Sequence, residues 1–316
     1  MNGCESVDII SIAENYWWVP AIGGSLLIIG GILALVLNRK KDRKKSRKKT
    51  AAPVPAPVSA SRPETASGPV LIGNAHHIGA RESQQDSFAI SDISDAELCG
   101  QRGILGVMAD GMGGMADGAE ASSIVVRTML TYFNEAEAFG APELELLNMA
   151  YLANDNVTNF MSGREKGGST VVAVIIHRRQ LAWVSVGDSR IYLVRNGAIV
   201  QLNREHTYAE ELDKMAAMGM MSWEEAASDP KRPALTSYLG MGKLEQVDSS
   251  ARPMELLSGD RVLLMSDGVF NALADEEILA AIKPEPQASA ARIQEMVLEK
   301  GYPGQDNLTV IVFQVE

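Results

Sequence analysis

A stretch of 21 residues without a charged side chain, residues 17–37, is the feature that most restricts how this chain can fold. As a helix it would be about 31 Å long at 1.5 Å per residue, which matches the hydrocarbon thickness of a bilayer. Trp17 and Trp18 stand at its start, where an aromatic belt would lie, and basic residues follow its end. The sequence therefore predicts one transmembrane helix over residues 17–37.

The residues that follow this stretch indicate its orientation. Residues 39–49 carry nine Lys or Arg and one Asp, a local charge of +8 in a chain of net charge −11, which leaves −19 for the remainder. Because basic residues beside a membrane span stay in the cytoplasm, we expect residues 1–16 to lie outside and everything after the span to be cytoplasmic. The alternative is a helix buried in a soluble core, which the adjoining bases disfavour. The same bases should attract anionic lipid headgroups.

The segment before the span argues against a cleaved signal peptide. It contains Glu5, Asp8 and Glu14 but no base, which inverts the charge of a signal peptide. No A-x-A cleavage site follows the apolar stretch either. We therefore expect the span to remain as an anchor.

Composition excludes several classes of function. The acidic body lacks the basic face that nucleic-acid binding requires. The two cysteines, Cys4 and Cys99, are far apart and have no neighbouring Cys/His cluster. A disulfide framework and a zinc site are therefore not expected.

The part of the chain after the span divides into a linker and one domain. Residues 38–68 hold the basic run and then a Pro/Ala-rich segment without apolar periodicity, which is typical of an extended linker. Residues 69–316 alternate short apolar runs with longer helical patterns. The predicted strands are residues 70–73, 103–109, 170–176, 181–186, 191–194, 261–266 and 307–314. The predicted helices are residues 118–133, 142–161, 208–218, 275–281 and 288–299, with a further short helix opening at Trp223.

Short turns join several of the predicted strands, for example residues 177–180 and 195–197. Short connections favour antiparallel pairing over β-α-β crossovers. Periodicity therefore predicts an α+β domain in which helices cover the sheets.

Aspartates beside glycine stand at the ends of predicted strands. Asp110 and Asp267 each follow an apolar strand and precede glycine, Asp188 follows glycine, and Asp306 lies just before the last strand. One Asp-Gly pair alone indicates only a turn, but two at strand ends favour a site for a hard cation, because glycine permits close approach of the backbone.

The chemistry of this set favours hydrolysis of a phosphoester. Oxygen ligands with no Cys and few His select Mg²⁺ or Mn²⁺ over zinc or copper. A pair of such ions can activate water for an in-line phosphoryl displacement. The competing phosphatase chemistry, a Cys nucleophile five residues before an Arg, is absent at both cysteines.

Six motifs occur in a distinctive order along the domain. They are RESQQDS at 81–87, ADGMGG at 109–114, GST at 168–170, VGDSR at 186–190, SDG at 266–268 and GQDN at 304–307. In this order they resemble the motifs of the bacterial PP2C (PPM) family of serine/threonine protein phosphatases, over residues 70–316. The resemblance implies a central antiparallel β-sandwich flanked by helices on both sides.

The resemblance also implies which residues hold two metal ions. Asp110 would bridge the ions, with the carbonyl of Gly111 as a further ligand. Asp267 and Asp306 would complete the first site. Asp86 would act on the second, partly through water.

Two more positions match the family pattern. Arg81 would bind the substrate phosphate, a role that suits a fixed guanidinium fork. Asp188, together with Asp267, would hold a third, weaker metal. The implied cofactors are two Mn²⁺ or Mg²⁺ ions, between which the residues do not discriminate, and the implied catalytic residues are Arg81, Asp86 and Asp110.

Residues 206–240 resemble the flap of the family, a segment beside the active site that influences substrate choice. We expect its methionines to serve ordinary helix packing in preference to a substrate-binding face; they are Met215, Met218, Met220 and Met221. His206 is expected to anchor the flap. Gln84 and Glu205 stand where the family usually has Asn and Asp.

The predicted function is a membrane-anchored protein serine/threonine phosphatase of the bacterial inner membrane. Its partners would be phosphorylated proteins, targets of a Ser/Thr kinase, and membrane lipids. One alternative is a catalytically silent phosphoprotein-binding module on the same fold, which the complete set of aspartates disfavours. Another is a structural membrane adaptor, which would need none of these carboxylates.

Overall fold

The computed structural model describes residues 69–316. The predicted transmembrane helix, the external segment and the linker lie outside the described residues. Within residues 69–316, no helix is both long enough and apolar enough to cross a bilayer.

The described residues form twelve strands and eight helices. In chain order the strands are β1 (Val70–His77), β2 (Asp86–Ile90), β3 (Ile104–Met112), β4 (Gly168–Ser169), β5 (Val171–His177), β6 (Gln180–Val186), β7 (Arg190–Arg195), β8 (Ala198–Gln201), β9 (Asp248–Ser249), β10 (Met254–Glu255), β11 (Arg261–Met265) and β12 (Leu308–Val315). The helices are α1 (Ala96–Arg102), α2 (Met115–Glu135), α3 (Pro142–Met161), α4 (Ala209–Ala217), α5 (Trp223–Ser228), α6 (Asp267–Phe270), α7 (Asp275–Ala280) and α8 (Pro286–Glu299).

The strands form two antiparallel sheets. The first has the order β1-β12-β11-β7-β8. The second has the order β10-β6-β5-β3-β2, with β4 beside β3 and β9 beside β6. A buried cluster joins the facing sides; from β5 and β12 it includes Val172, Val174, Ile176, Ile311, Phe313 and Val315. A Cβ on Gly106 of β3 would lie 2.3 Å from the Phe313 ring, so glycine leaves the room that this ring fills.

Helices cover both outer faces of the sandwich. Helices α2 and α3 pack on the second sheet, where Val125, Met129 and Met149 meet Leu105 and Val107 of β3. Helices α7 and α8 pack on the first sheet; this cluster includes Ile278, Ile293, Leu263 and Val310. The four layers confirm the predicted α+β sandwich with helices on both sides.

Two of the predicted tight turns are two-residue hairpin loops. Arg178 and Arg179 join β5 to β6 with φ of 51° and 61°, and Asn196 and Gly197 join β7 to β8 with φ of 51° and 74°. Positive φ at both loop residues matches the right-handed twist of the flanking strands. These turns account for the antiparallel order β5-β6 and β7-β8.

Candidate metal centre

Antiparallel pairing brings the predicted aspartates to one edge of the sandwich. Asp86 begins β2 and is the register partner of Asp110, near the end of β3. Asp267 follows β11, and Asp306 lies two residues before β12, the antiparallel neighbour of β11. Asp188 follows β6. Asp110 interacts electrostatically with the other four carboxylates, so the five side chains form one cluster.

The main chain of Asp110 is fixed by the GST segment. Its N–H donates to Thr170 Oγ1 at 3.0 Å, and its carbonyl accepts from Thr170 N–H at 2.8 Å and from Ser169 Oγ at 3.0 Å. Thr170 Oγ1 also lies 2.9 Å from Ser189 Oγ, beside Asp188. The GST segment therefore holds Asp110 in place and links it to the loop that carries Asp188.

The two carboxylate oxygens of Asp86 have different surroundings. Oδ2 accepts hydrogen bonds from Ser266 Oγ at 2.8 Å and from Thr309 Oγ1 at 2.6 Å. Oδ1 is buried without a hydrogen-bond partner. Burial raises the pKa of Asp86 to about 6, although the two hydrogen bonds lower it. Leaving a buried acceptor unpaired costs about 1–3 kcal/mol, so Oδ1 indicates a ligand from outside the chain.

Asp267 shows the same asymmetry at the start of α6. Its Oδ1 is buried without a partner, while Oδ2 accepts from Asn271 Nδ2 at 3.1 Å. Burial and the neighbouring carboxylates, with Asp188 first among them, raise the pKa of Asp267 to about 7.

The pKa values of two partly buried carboxylates of the cluster, Asp110 and Asp188, are also raised. Burial, reinforced by the four neighbouring aspartates, raises the pKa of Asp110 well above its usual range. Burial also raises the pKa of Asp188 to about 6. Several desolvated like charges in one place are stable only when protons or cations neutralise them.

The donor set fits hard divalent cations. The cluster offers carboxylate oxygens and the main-chain carbonyl of Gly111. Position 111 has no room for a side chain, because a Cβ there would lie 2.0 Å from the Gly118 carbonyl oxygen. Within residues 69–316, no three His, Cys, Asp or Glu side chains stand in positions to hold a metal by themselves. Charges interact over longer distances than the about 2.0–2.1 Å of a Mg²⁺–oxygen bond, so the carboxylates can form an electrostatic cluster without standing at ligating distances from one point. In proteins Mg²⁺ usually completes its coordination shell with water.

Arg81 lies at the rim of this cluster. Its Nη2 is 2.5 Å from Asp306 Oδ2, and both side chains are partly exposed. The other oxygen, Oδ1, accepts from Asn307 N–H at 2.8 Å. The predicted phosphate-binding arginine and a predicted metal ligand are therefore direct partners.

Arg190 forms a junction that the sequence does not reveal. Its guanidinium donates to Glu205 Oε1 at 2.6 Å and to Tyr192 OH at 3.0 Å. It also stacks 3.9 Å from the ring centroid of Phe270 in α6. Tyr192 OH in turn donates to Asp275 at 2.8 Å. Arg190 thus connects Glu205, next to the flap, with the helix that begins at Asp267.

The hydroxyl partners of Asp86 were not predicted either. Thr309 Oγ1 and Asp86 are 223 positions apart in sequence, and Ser266 Oγ and Asp86 are 180 apart. No local pattern signals such contacts, because they depend on the register of distant strands.

The flap residues form two short helices, α4 and α5. The backbone of His206 donates to the Gly187 carbonyl at 2.8 Å, and the Gly187 N–H lies 3.1 Å from His206 Nδ1, which agrees with an anchoring role. Met215 and Met221 are partly buried. Met218 and Met220 are 69% and 67% exposed, so ordinary packing accounts for only half of the methionines.

Known proteins resemble this domain in sequence. The profile of the protein phosphatase 2C family matches residues 73–300. The serine/threonine protein phosphatase PstP of Mycobacterium tuberculosis is 35% identical over 217 residues, which span 66% of this chain and 40% of PstP. The serine/threonine phosphatase Stp of Listeria welshimeri is 30% identical over 217 residues, spanning 66% of this chain and 83% of Stp.

Solved structures share the fold. The crystal structure of the catalytic domain of PstP in complex with two manganese ions has a TM-score of 0.62 and 29% identity to this chain. The similarity covers 78% of this chain and 98% of that domain. The sandwich and its helices therefore belong to a fold that, in that protein, has been seen in complex with two manganese ions.

Proposed function

Because this chain belongs to the protein phosphatase 2C family, we propose that it is a metal-dependent phosphatase that hydrolyses phosphoserine and phosphothreonine in proteins. Water would attack phosphorus, and the serine or threonine hydroxyl would leave. The named relatives are serine/threonine phosphatases, and the matched region includes the motifs around Asp86, Asp110, Asp188 and Asp267.

One observation carries the metal dependence. Asp86 Oδ1 and Asp267 Oδ1 are buried without hydrogen-bond partners inside a cluster of five carboxylates, four of which raise the pKa of the fifth, Asp110. Such an arrangement is costly unless cations bind to it.

The proposed ligands are the residues that match the family motifs. Asp110 would bind both ions, and the Gly111 carbonyl would be a further ligand. Asp267 and Asp306 would complete the first site, and Asp86 would act on the second, partly through water. When two Mn²⁺ or Mg²⁺ ions are bound, they supply an activated water and charge neutralisation for the in-line displacement. Asp188 would join Asp267 in a weaker third site.

The side chains of the protein have their own tasks in this proposal. Arg81 would orient the phosphate through its planar fork of donors. Ser266 and Thr309 would keep Asp86 Oδ2 occupied, so that Oδ1 faces the site. The GST segment would hold Asp110, and Arg190 would steady α6 beneath Asp267.

The test uses residues 69–316, which enclose their own hydrophobic clusters. Hydrolysis of p-nitrophenyl phosphate and of a phosphothreonine peptide is measured with Mn²⁺, with Mg²⁺ and with EDTA. Asp110→Asn should lower kcat by at least about 100-fold, the scale of losing an electrostatic catalytic group. Asp155→Asn, an exposed change on α3, is the matched control and should keep full activity.

The same assay separates the competing functions. Metal-dependent turnover that Asp110→Asn removes supports the phosphatase. A folded domain that binds phosphopeptide without turnover in any metal would instead identify a silent binding module, and one that does neither would favour the adaptor.

We also propose that the chain is anchored in the inner membrane by residues 17–37, with the phosphatase domain in the cytoplasm. The support is the length of the charge-free stretch and the nine bases that follow it. Substrates would then be phosphoproteins at or near the membrane.

The two native cysteines allow a direct test of this topology. Cys4 precedes the span and Cys99 follows it, so a membrane-impermeant maleimide added to intact cells should label Cys4 and leave Cys99 unlabelled. Cys4→Ser and Cys99→Ser variants assign the signal. Labelling that appears only after lysis would contradict the proposed topology.

A further inference from the structure

A chain of hydrogen bonds runs from a surface histidine to the buried carboxylate of Asp86. His76 on β1 and Thr309 on β12 are register partners in neighbouring strands. His76 Nδ1 lies 2.9 Å from Thr309 Oγ1, which lies 2.6 Å from Asp86 Oδ2. His76 is an exposed residue, so these hydrogen bonds connect the surface of the first sheet with the carboxylate cluster.

The number of available protons decides which atom donates in each of these hydrogen bonds. An ionised carboxylate only accepts, and a threonine hydroxyl has one proton to donate. Since Thr309 donates that proton to Asp86, its contact with His76 requires that Nδ1 carries the proton and donates it. Ser266 shows the same pattern: its Oγ donates to Asp86 Oδ2 and accepts from Thr309 N–H at 2.9 Å.

We propose that His76 is a positioning residue for the metal centre: its Nδ1–H fixes the Thr309 hydroxyl on Asp86 Oδ2 and thereby leaves Asp86 Oδ1 free to act as the ligand. This inference rests on the proposed function, because it concerns the same metal site. Without His76, the Thr309 hydroxyl loses the donor that sets its rotation. Partners behind a ligating carboxylate commonly orient it in this way.

The surroundings of His76 suit this role. The ring lies 5.4 Å from the ring of Phe88 on β2, which limits its rotation. Although the residue as a whole is exposed, its ring is partly desolvated by its neighbours, and this desolvation, together with the nearby His77, lowers the pKa of His76. The imidazole is therefore neutral at pH 7.5, so only one of its two ring nitrogens carries a proton.

The first test reads the tautomer directly. The metal-free full-length chain, labelled with ¹⁵N in its four histidines, is examined by NMR at pH 7.5, and His76→Asn identifies the signals of His76. We expect the Nδ1–H tautomer. The Nε2–H tautomer would overturn the inference, whatever the activity of the enzyme.

The second test measures Mn²⁺ binding by titration calorimetry, without any turnover. His76→Leu should weaken Mn²⁺ affinity about 10-fold, the usual scale for losing a partner behind a ligand. His76→Asn should restore most of it, because its amide N–H lies close to the position of Nδ1. His177→Leu removes a histidine that contacts the Gly100 carbonyl instead and should leave the affinity unchanged.

The outcomes distinguish this inference from the proposed function. If the unmodified chain binds no Mn²⁺, the metal centre itself is wrong. If it binds Mn²⁺ and His76→Leu binds equally well, only the role of His76 is wrong. A merely structural histidine would lower the unfolding midpoint in EDTA without changing Mn²⁺ affinity, which also contradicts the inference. Should His76→Leu fail to fold, the tautomer in the unmodified chain still decides.

Discussion

Arg81 is a residue for which two roles compete. In the structure it pairs with Asp306, whereas the proposed reaction requires it to bind a phosphate. A guanidinium beside a metal ligand opposes cation binding there, because the two positive charges repel each other. The same side chain therefore assists substrate binding and resists metal binding.

Replacing Arg81 should weaken substrate binding and strengthen metal binding. Arg81→Ala removes a charge-assisted hydrogen bond of about 1.5–3 kcal/mol, so KM for a phosphothreonine peptide should rise about 10- to 100-fold. The Mn²⁺ concentration that gives half-maximal activity should fall. Both are obtained from one set of initial rates over a grid of peptide and Mn²⁺ concentrations.

A conservative variant isolates the geometry of the fork. Arg81→Lys keeps the charge but loses the planar pair of donors, so it should raise KM and leave the Mn²⁺ requirement close to that of the unmodified domain. An unchanged KM in Arg81→Ala would exclude Arg81 from phosphate binding.

Elements with a long apolar pattern were predictable, whereas several short or exposed ones were not. Helix α3 was predicted with the bounds Pro142–Met161, since proline opens it and eight buried residues recur along it. Helix α1, Ala96–Arg102, buries no residue and so leaves no apolar stripe in the sequence. Strands β2 and β8, of five and four residues, were also missed.

Helix α2 illustrates how functional glycines obscure an element boundary. The sequence predicts its start at Gly118, but the helix begins at Met115, directly after Gly114. The segment from Gly111 to Gly118 reads as a turn, because glycine disfavours helix. Its glycines instead allow close approach, since a Cβ on Gly118 would lie 2.2 Å from the side chain of Gln85.

Of the candidate site, the sequence allowed the aspartates to be predicted but not the side chains that hold them in place. Asp86, Asp110 and Asp267 belong to contiguous motifs, so their chemistry is visible in the sequence. The partners that orient them come from other elements: Thr309 from β12, His76 from β1 and Arg190 from β7. Their roles depend on strand register and on packing between layers, which a single sequence does not display.

At the scale of the whole domain, the carboxylates of the cluster make stability depend on pH. The folded-state pKa values of Asp86, Asp188 and Asp267 are raised to about 6, 6 and 7, from the ordinary aspartate value of 3.8. Between pH 4 and 7 the folded, metal-free domain therefore binds more protons than the unfolded chain. Its stability is highest at the acidic end of this window and falls as the pH rises through 6 and 7.

Urea unfolding of residues 69–316 in EDTA, at intervals from pH 4.5 to 7.5, measures this dependence. Since one pKa unit corresponds to about 1.4 kcal/mol, we expect the free energy of unfolding to fall by a few kcal/mol across the range. Saturating Mn²⁺ should remove the fall, because metal binds the ionised carboxylates and stabilises the folded state by mass action.

The variant Asp267→Asn connects this dependence with the site. It replaces a carboxyl group whose pKa is raised to about 7 by a neutral amide, so the metal-free domain should lose less stability between pH 4.5 and 7.5 than the unmodified domain. Mn²⁺ should then stabilise it less at pH 7.5. Asp155→Asn, exposed on α3, should follow the unmodified domain at every pH. Metal-free stability that rises steadily from pH 4.5 to 7.5 would show that these carboxylates are ionised at little cost, and the electrostatic basis of the metal centre would then be wrong.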